Sequence, residues 1–152
     1  KRMYDVEELG FKYHGNSIMA AIGLVSLKYL DRDNAYRRQL AKWYEESLNG
    51  DKLIRVVPVV AGCESSRHLF QVRVEKRDEV LMALNEYEIH PGVHYRDNTE
   101  YRLYSFGAGT CPRAHEVSKE IISLPMHMGI TKQDVDFIVS KLKAIVKMGS
   151  DK

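Results

Sequence analysis

Three groups of residues in this chain of 152 carry side chains suited to chemistry. The first is the loop Gly10-Phe-Lys-Tyr-His-Gly-Asn16, which gathers a lysine, a histidine and two aromatic rings between glycines. Asn16 can cap a helix behind it, because its side-chain oxygen can accept from the free N–H groups of the first turn. A basic loop delivered onto a helix N-terminus is a natural place for an anion such as a phosphate. Taken alone, the loop is better explained as a capped turn with no ligand. The second group is His90 and His94-Tyr95. A histidine at a strand end is, by itself, more often a hydrogen-bonded structural residue. His90 and His94 would share one face of a regular strand, but Pro91-Gly92 interrupts it and no third metal ligand is evident. The third group is Cys63 and Cys111. Neither has metal-ligand spacing, and nothing places the histidine partner and oxyanion hole that a nucleophile needs. No metal site and no cysteine nucleophile is assigned.

The elements that must position these residues can be read from periodicity. Ser17 to Leu30 reads as a helix whose segment Ile18 to Val25 is apolar on every side. A helix covering one side of a small domain keeps a polar face, whereas one that is apolar all round must be buried all round. The run is too short to cross a membrane. It therefore calls for a second body: another copy of the chain, or further sequence. The opening at Lys1, with no initiator Met or signal-peptide pattern, favours further sequence.

A second helix is expected from Asn34 to Leu48, with Tyr36, Leu40, Tyr44 and Leu48 recurring every four residues and Ala41 and Trp43 flanking them. Leu53 to Val60 reads as a strand, at an edge or interrupted because Pro58 cannot donate. His68 to Val74 alternates, with His68, Phe70, Val72 and Val74 on one face and Leu69, Gln71 and Arg73 on the other. Helix follows from Arg77 to Tyr87, with Val80, Leu81 and Leu84 inward. Ile89 to Tyr95 reads as a further strand bent at Pro91-Gly92. Arg96 to Thr110 is a long loop carrying Tyr101, Tyr104 and Phe106, a length usually functional or mobile. Pro112 opens a helix to Ile122 that Ser123-Leu-Pro125 ends. Thr131 and Asp134 form a capping box for the last helix, whose buried stripe is Val135, Ile138, Leu142 and Ile145. The order helix, helix, strand, strand, helix, strand, helix, helix predicts an α+β domain with a small, mostly antiparallel sheet covered by helices.

Composition sets bounds on function. A length of 152 residues fits a single domain over 1–152, and 44% hydrophobic content is enough for a core. A net charge of +2 excludes a strong attraction to nucleic acid, and the basic residues are scattered. There is no transmembrane span, so no membrane partner is expected. Two cysteines give no disulfide framework, so a cytoplasmic setting is the default.

Gly10-Phe-Lys-Tyr-His, Asn16 and Ala20-Ala-Ile-Gly-Leu24 together resemble the C-terminal part of the DegT/StrS family of pyridoxal 5'-phosphate (PLP) dependent sugar aminotransferases. Further matches are Arg37-Arg38, Ser66-Arg-His-Leu-Phe70, Gly92-Val-His-Tyr95, and Ile122-Ser-Leu-Pro-Met-His127 followed by Thr131. Each motif alone is weak; their order and spacing are the specific signal, and they run from Gly10 through nearly the whole chain. The resemblance implies the small C-terminal domain of a fold-type-I PLP enzyme, lacking its N-terminal large domain, from a homodimer with shared active sites. It implies amino transfer, with glutamate as donor, to a nucleotide-linked keto sugar. Lys12 stands where most of the family has an asparagine that reaches the PLP phosphate, and Asn16 matches a Ser/Thr/Asn position. These two are the implied cofactor-binding residues. His14 replaces the usual arginine. His94 and Tyr95 match a Val-x-His-Tyr motif near the substrate, but Arg96-Asp97-Asn98 follows where the family has proline, which implies a different substrate preference. The resemblance places the Schiff-base lysine upstream of Gly10. No Ser-x-His-x-x-Lys segment occurs in the chain, so no catalytic residue is assigned and the isolated chain is expected to be inactive. The departures at Lys12 and His14 keep open a second expectation, a non-catalytic sensor or interaction domain on the same fold.

Overall fold

The computed structural model describes Gly10, Phe11, Tyr13 and residues 15–150. The chain divides into two compact units, one up to Arg32 and one from Asp33 onward. The first holds helix α1 (Ser17–Leu27). Asn16 caps it as the sequence predicts, its side chain accepting from the Met19 N–H at 2.9 Å. The helix stops earlier than Leu30, the last residue expected in it, and α2 (Leu30–Leu48) begins there. No residue of α1 is buried.

The second unit is built on a three-stranded antiparallel sheet in the order β1 (Arg55–Val56), β2 (Phe70–Arg73), β3 (Ile121–Leu124). Around it are α2, α3 (Arg77–Asn85), α4 (Pro112–Glu120) and α5 (Lys132–Ser150). The expected fold, a small antiparallel sheet with helices, is present. The strand inventory differs from the expectation in three places. Leu53 to Val60 pairs over Arg55 and Val56, with one further bond from the Val57 N–H to the Gln71 carbonyl. Pro58, which has no N–H, follows at once. Ile89 to Tyr95 is not a strand; only Gly92 bridges to Ser123. The third strand is instead Ile121–Leu124, where the sequence predicts a helix running to Ile122 and ended by Ser123-Leu-Pro125. Its four residues are all buried, so it lacks the alternation that marks a half-exposed strand. The expected loop from Arg96 to Thr110 contains two 3-10 helices, Asn98–Glu100 and Arg102–Gly107.

The register sorts the sheet into two faces. Phe70 pairs with Leu124 and Val72 with Ile122, and these four side chains face the core. Tyr44 of α2 stacks on Phe70 at 4.8 Å and donates its hydroxyl to the Pro125 carbonyl at 3.0 Å. Burial, with the nearby Asp134 charge, pushes the Tyr44 phenol well above its ordinary value. Leu40, Leu48, Val80, Leu84, Val135, Ile138 and Leu142 complete the core from the helices. The capping box is present in reciprocal form: Thr131 N–H donates to Asp134 Oδ2 at 2.8 Å, and Asp134 N–H donates to Thr131 Oγ1 at 3.2 Å. Among the described residues, no helix is long and apolar enough to cross a membrane.

Candidate functional site

The other face of the sheet carries the site. Gln71 of β2 and Ser123 of β3 are direct cross-strand partners, so their side chains rise side by side from that face. The segment after α3 is laid over them. Gly92 N–H donates to the Ser123 carbonyl at 3.0 Å, and Ser123 N–H donates to the Gly92 carbonyl at 2.8 Å. Two residues on, the His94 ring meets the same serine, with Nδ1 2.9 Å from Ser123 Oγ. Gln71 Nε2 donates to the His94 carbonyl at 2.5 Å. The ring also lies tightly over Gly92: a Cβ on that glycine would come within 2.7 Å of His94 Cε1. Ser123 is 4% exposed beneath this cover. Two separate motifs of the sequence, Gly92-Val-His-Tyr95 and Ser123-Leu-Pro125, are thus one constellation.

Tyr95 follows, joined to His94 by a cis peptide, and its ring stands edge-on to the imidazole at 5.0 Å. Tyr95 is 71% exposed. The half-buried histidine and exposed tyrosine therefore present one face: a ring nitrogen, Nε2, with no partner among the described residues, beside an aromatic surface. That pairing suits a polyhydroxylated ligand, whose hydroxyls meet the nitrogen and whose apolar C–H face meets the ring.

The segment is tied down at its far end by Asp97. Its Oδ1 accepts from the Thr99 N–H and hydroxyl, both at 2.9 Å, and its Oδ2 lies 3.1 Å from His115 Nδ1 on α4. The Thr99 bonds first, and then His115, hold the Asp97 carboxyl below its ordinary range. Arg96 pairs with Glu100 at 2.6 Å and sits over the Tyr101 ring. Beyond it, Leu103 and Phe106 are exposed. Sequence reasoning missed Gln71, Ser123 and Asp97. A signal existed for Ser123, the single polar residue within Ile121-Ile-Ser-Leu124.

The other expected site residues lie elsewhere. Lys12 and His14 fall outside the described residues. Asn16 spends its side-chain oxygen on the cap of α1. Two features still fit the phosphate end of PLP at that helix start. Its first turn has no acidic side chain, and its first N–H groups lack intrahelical partners. No group of three or more His, Cys, Asp or Glu among the described residues is placed to hold a metal ion.

A small antiparallel sheet with helices packed on its core face and the 92–97 segment laid over the other defines an α+β domain. The chain belongs to the DegT/DnrJ/EryC1/StrS aminotransferase family, whose profile matches residues 1–143. It is 25% identical to the UDP-4-amino-4,6-dideoxy-N-acetyl-beta-L-altrosamine transaminase of Campylobacter jejuni, over 97% of this chain and 42% of that protein. It is 28% identical to the erythromycin biosynthesis sensory transduction protein EryC1 of Saccharopolyspora erythraea, over 95% of this chain and 40% of that one. Among solved structures, the apo form of Spr1654 from Streptococcus pneumoniae, assigned as a sugar aminotransferase, superposes with a TM-score of 0.87. It is 27% identical, over 99% of this chain and 40% of that one. Spr1654 has also been solved in PLP and PMP forms. The chain therefore spans about two-fifths of the length of these relatives.

Proposed function

We propose that this chain is the C-terminal domain of a cytoplasmic, homodimeric PLP-dependent aminotransferase. The enzyme would transfer an amino group from glutamate to a nucleotide-linked keto sugar in polysaccharide, lipopolysaccharide or secondary-metabolite biosynthesis. The observation that carries this reading is the family match across residues 1–143 in a chain that spans only two-fifths of its relatives' length. An N-terminal large domain would supply the remainder. PLP, when bound, supplies the electron sink for amino transfer. In this chain, Lys12 and Asn16 serve the cofactor phosphate, Lys12 as a point charge and Asn16 by shaping the start of α1. His94 and Tyr95 face the sugar, the imidazole taking a hydroxyl and the tyrosine ring lying against the pyranose.

EryC1, a relative called a sensory transduction protein, supports a second reading, a non-catalytic sensor on the same fold. One pair of assays separates the two. The full-length protein, given PLP, glutamate and a UDP-linked 4-keto sugar, is expected to yield the amino sugar, detected by mass. The 152-residue chain alone, treated with PLP and borohydride, is expected to carry no stoichiometric pyridoxyl-lysine. Failure of the full-length protein to aminate any keto sugar offered, with no lysine tagged in it either, would favour the sensor. A single tagged lysine in the isolated chain would overturn the placement of the reactive amine elsewhere.

A further inference from the structure

The His94 residue is held by three others to which the family resemblance assigns no role. Ser123 meets Nδ1 at 2.9 Å, Gln71 holds the carbonyl of the same residue at 2.5 Å, and Gly92 leaves the space in which the ring lies. We propose that Ser123, Gln71 and Gly92 are positioning residues that commit Nδ1 of His94 to the protein and present Nε2 to the sugar. This rests on the reading of His94 and Tyr95 as sugar-facing residues.

The physical argument begins with the imidazole itself. A neutral ring has one donor and one acceptor nitrogen, and whichever partner engages the first determines the character of the second. An unheld ring would exchange tautomers and rotate about its two side-chain torsions. Each orientation lost on binding would then weaken affinity. Ser123 removes that freedom from one side. Its hydroxyl is fixed because the residue is buried at 4% exposure within a paired strand, with both backbone groups bonded to Gly92. Gln71 is its direct cross-strand neighbour, so one register of two strands sets both anchors. Gly92 completes the arrangement. Its φ does not lie in the left-handed region, so an alanine there meets no backbone strain, and the obstacle is the His94 ring at 2.7 Å. A methyl group at position 92 would be accommodated by turning the ring away from Ser123.

The test uses the full-length enzyme with His94→Ala, Ser123→Ala, Ser123→Thr and Gly92→Ala. Ser123→Ala and Gly92→Ala are each expected to raise KM for the keto sugar by about three- to tenfold, the value of one hydrogen bond, with kcat little changed. Ser123→Thr, which restores the hydroxyl, is expected to recover most of the loss. Once His94 is already alanine, neither change should add to the KM, since coupled residues are not additive. Nitrogen-15 spectra of the histidine rings give a readout independent of activity, in which Ser123→Ala and Gly92→Ala should both shift the His94 signals. If His94→Ala leaves KM unchanged, the sugar-facing reading itself fails. If His94→Ala raises KM while Ser123→Ala and Gly92→Ala do not, or if their effects add to it in full, the positioning role is overturned. Should Ser123→Ala fail to fold, Gly92→Ala decides alone, because it changes no core residue.

Discussion

Asp97 shows how a single carboxylate can fix the segment that carries His94 and Tyr95. It sits between Thr99 in its own turn and His115 on α4, and so joins the chain after Tyr95 to a helix 18 residues further on. Its carboxyl is held below the ordinary range by bonds that need the ionised form. The sign of the pH effect follows. A depressed folded-state value means that the contribution is fully present above the unfolded value of about 3.9, and is lost as pH falls through the lower folded value. Asp97→Asn should therefore be less stable than the parent at pH 7, and the gap should narrow on acidification below about pH 4. Urea unfolding at pH 7 and at pH 3 checks this; a gap of the same size at both would show that the charge plays no part. Asp134, lowered by its bonds to Thr131, titrates in the same direction in both proteins and cancels from the comparison. Asp97 could not be singled out from the sequence, because its importance lies in a partner 18 residues away. Ser123 stands out only as a polar residue in an apolar run, and its partner is 29 residues away.

At the scale of elements, the legible parts were those whose pattern is local. The α5 stripe, the Thr131–Asp134 box, the Asn16 cap and the alternation of Phe70, Val72 and Val74 all follow from spacing within one element. The strand β3 was hidden for the opposite reason. Ile121-Ile-Ser-Leu124 continues directly from α4, is buried on both faces, and has neither a helical nor a two-residue period to announce it. Conversely, Ile89 to Tyr95 has strand-like composition but makes only the Gly92 bridge, since Pro91 lacks the N–H that a ladder needs. The importance of β3 is open to a direct check. Ile122 is fully buried, and it pairs with Val72 of the central strand β2. Ile122→Ala should cost about 2–5 kcal/mol in chemical denaturation, the range for an aliphatic side chain removed from a packed core. A loss below about 1 kcal/mol would mean that the strand tolerates a cavity and is not central to the core.

At the scale of the whole molecule, the decisive feature is the surface of α1. Ile18, Met19, Ile22, Leu24, Val25 and Leu27 are all exposed, and at about 100° per residue they point around the full circumference of the helix. Phe11 and Tyr13, ahead of the helix, are each 87% exposed. Isolated exposed apolar side chains are ordinary, but a contiguous group beyond a few hundred Å² marks a surface that meets another body. Under the proposed function, that body is the large domain and a second subunit. Without them, the 152-residue chain should bury α1 by self-association or leave it open to a hydrophobic dye. Sedimentation across a concentration series, with dye fluorescence alongside, is expected to show mass rising with concentration or strong dye binding. Replacing Ile22 and Leu24 together by glutamate should suppress both effects without lowering the stability of the unit from Asp33 onward, because neither side chain belongs to its core. A parent chain that stays monomeric at every concentration and binds no dye would remove the physical ground for a covering body. The family match would then have to support the larger enzyme without it.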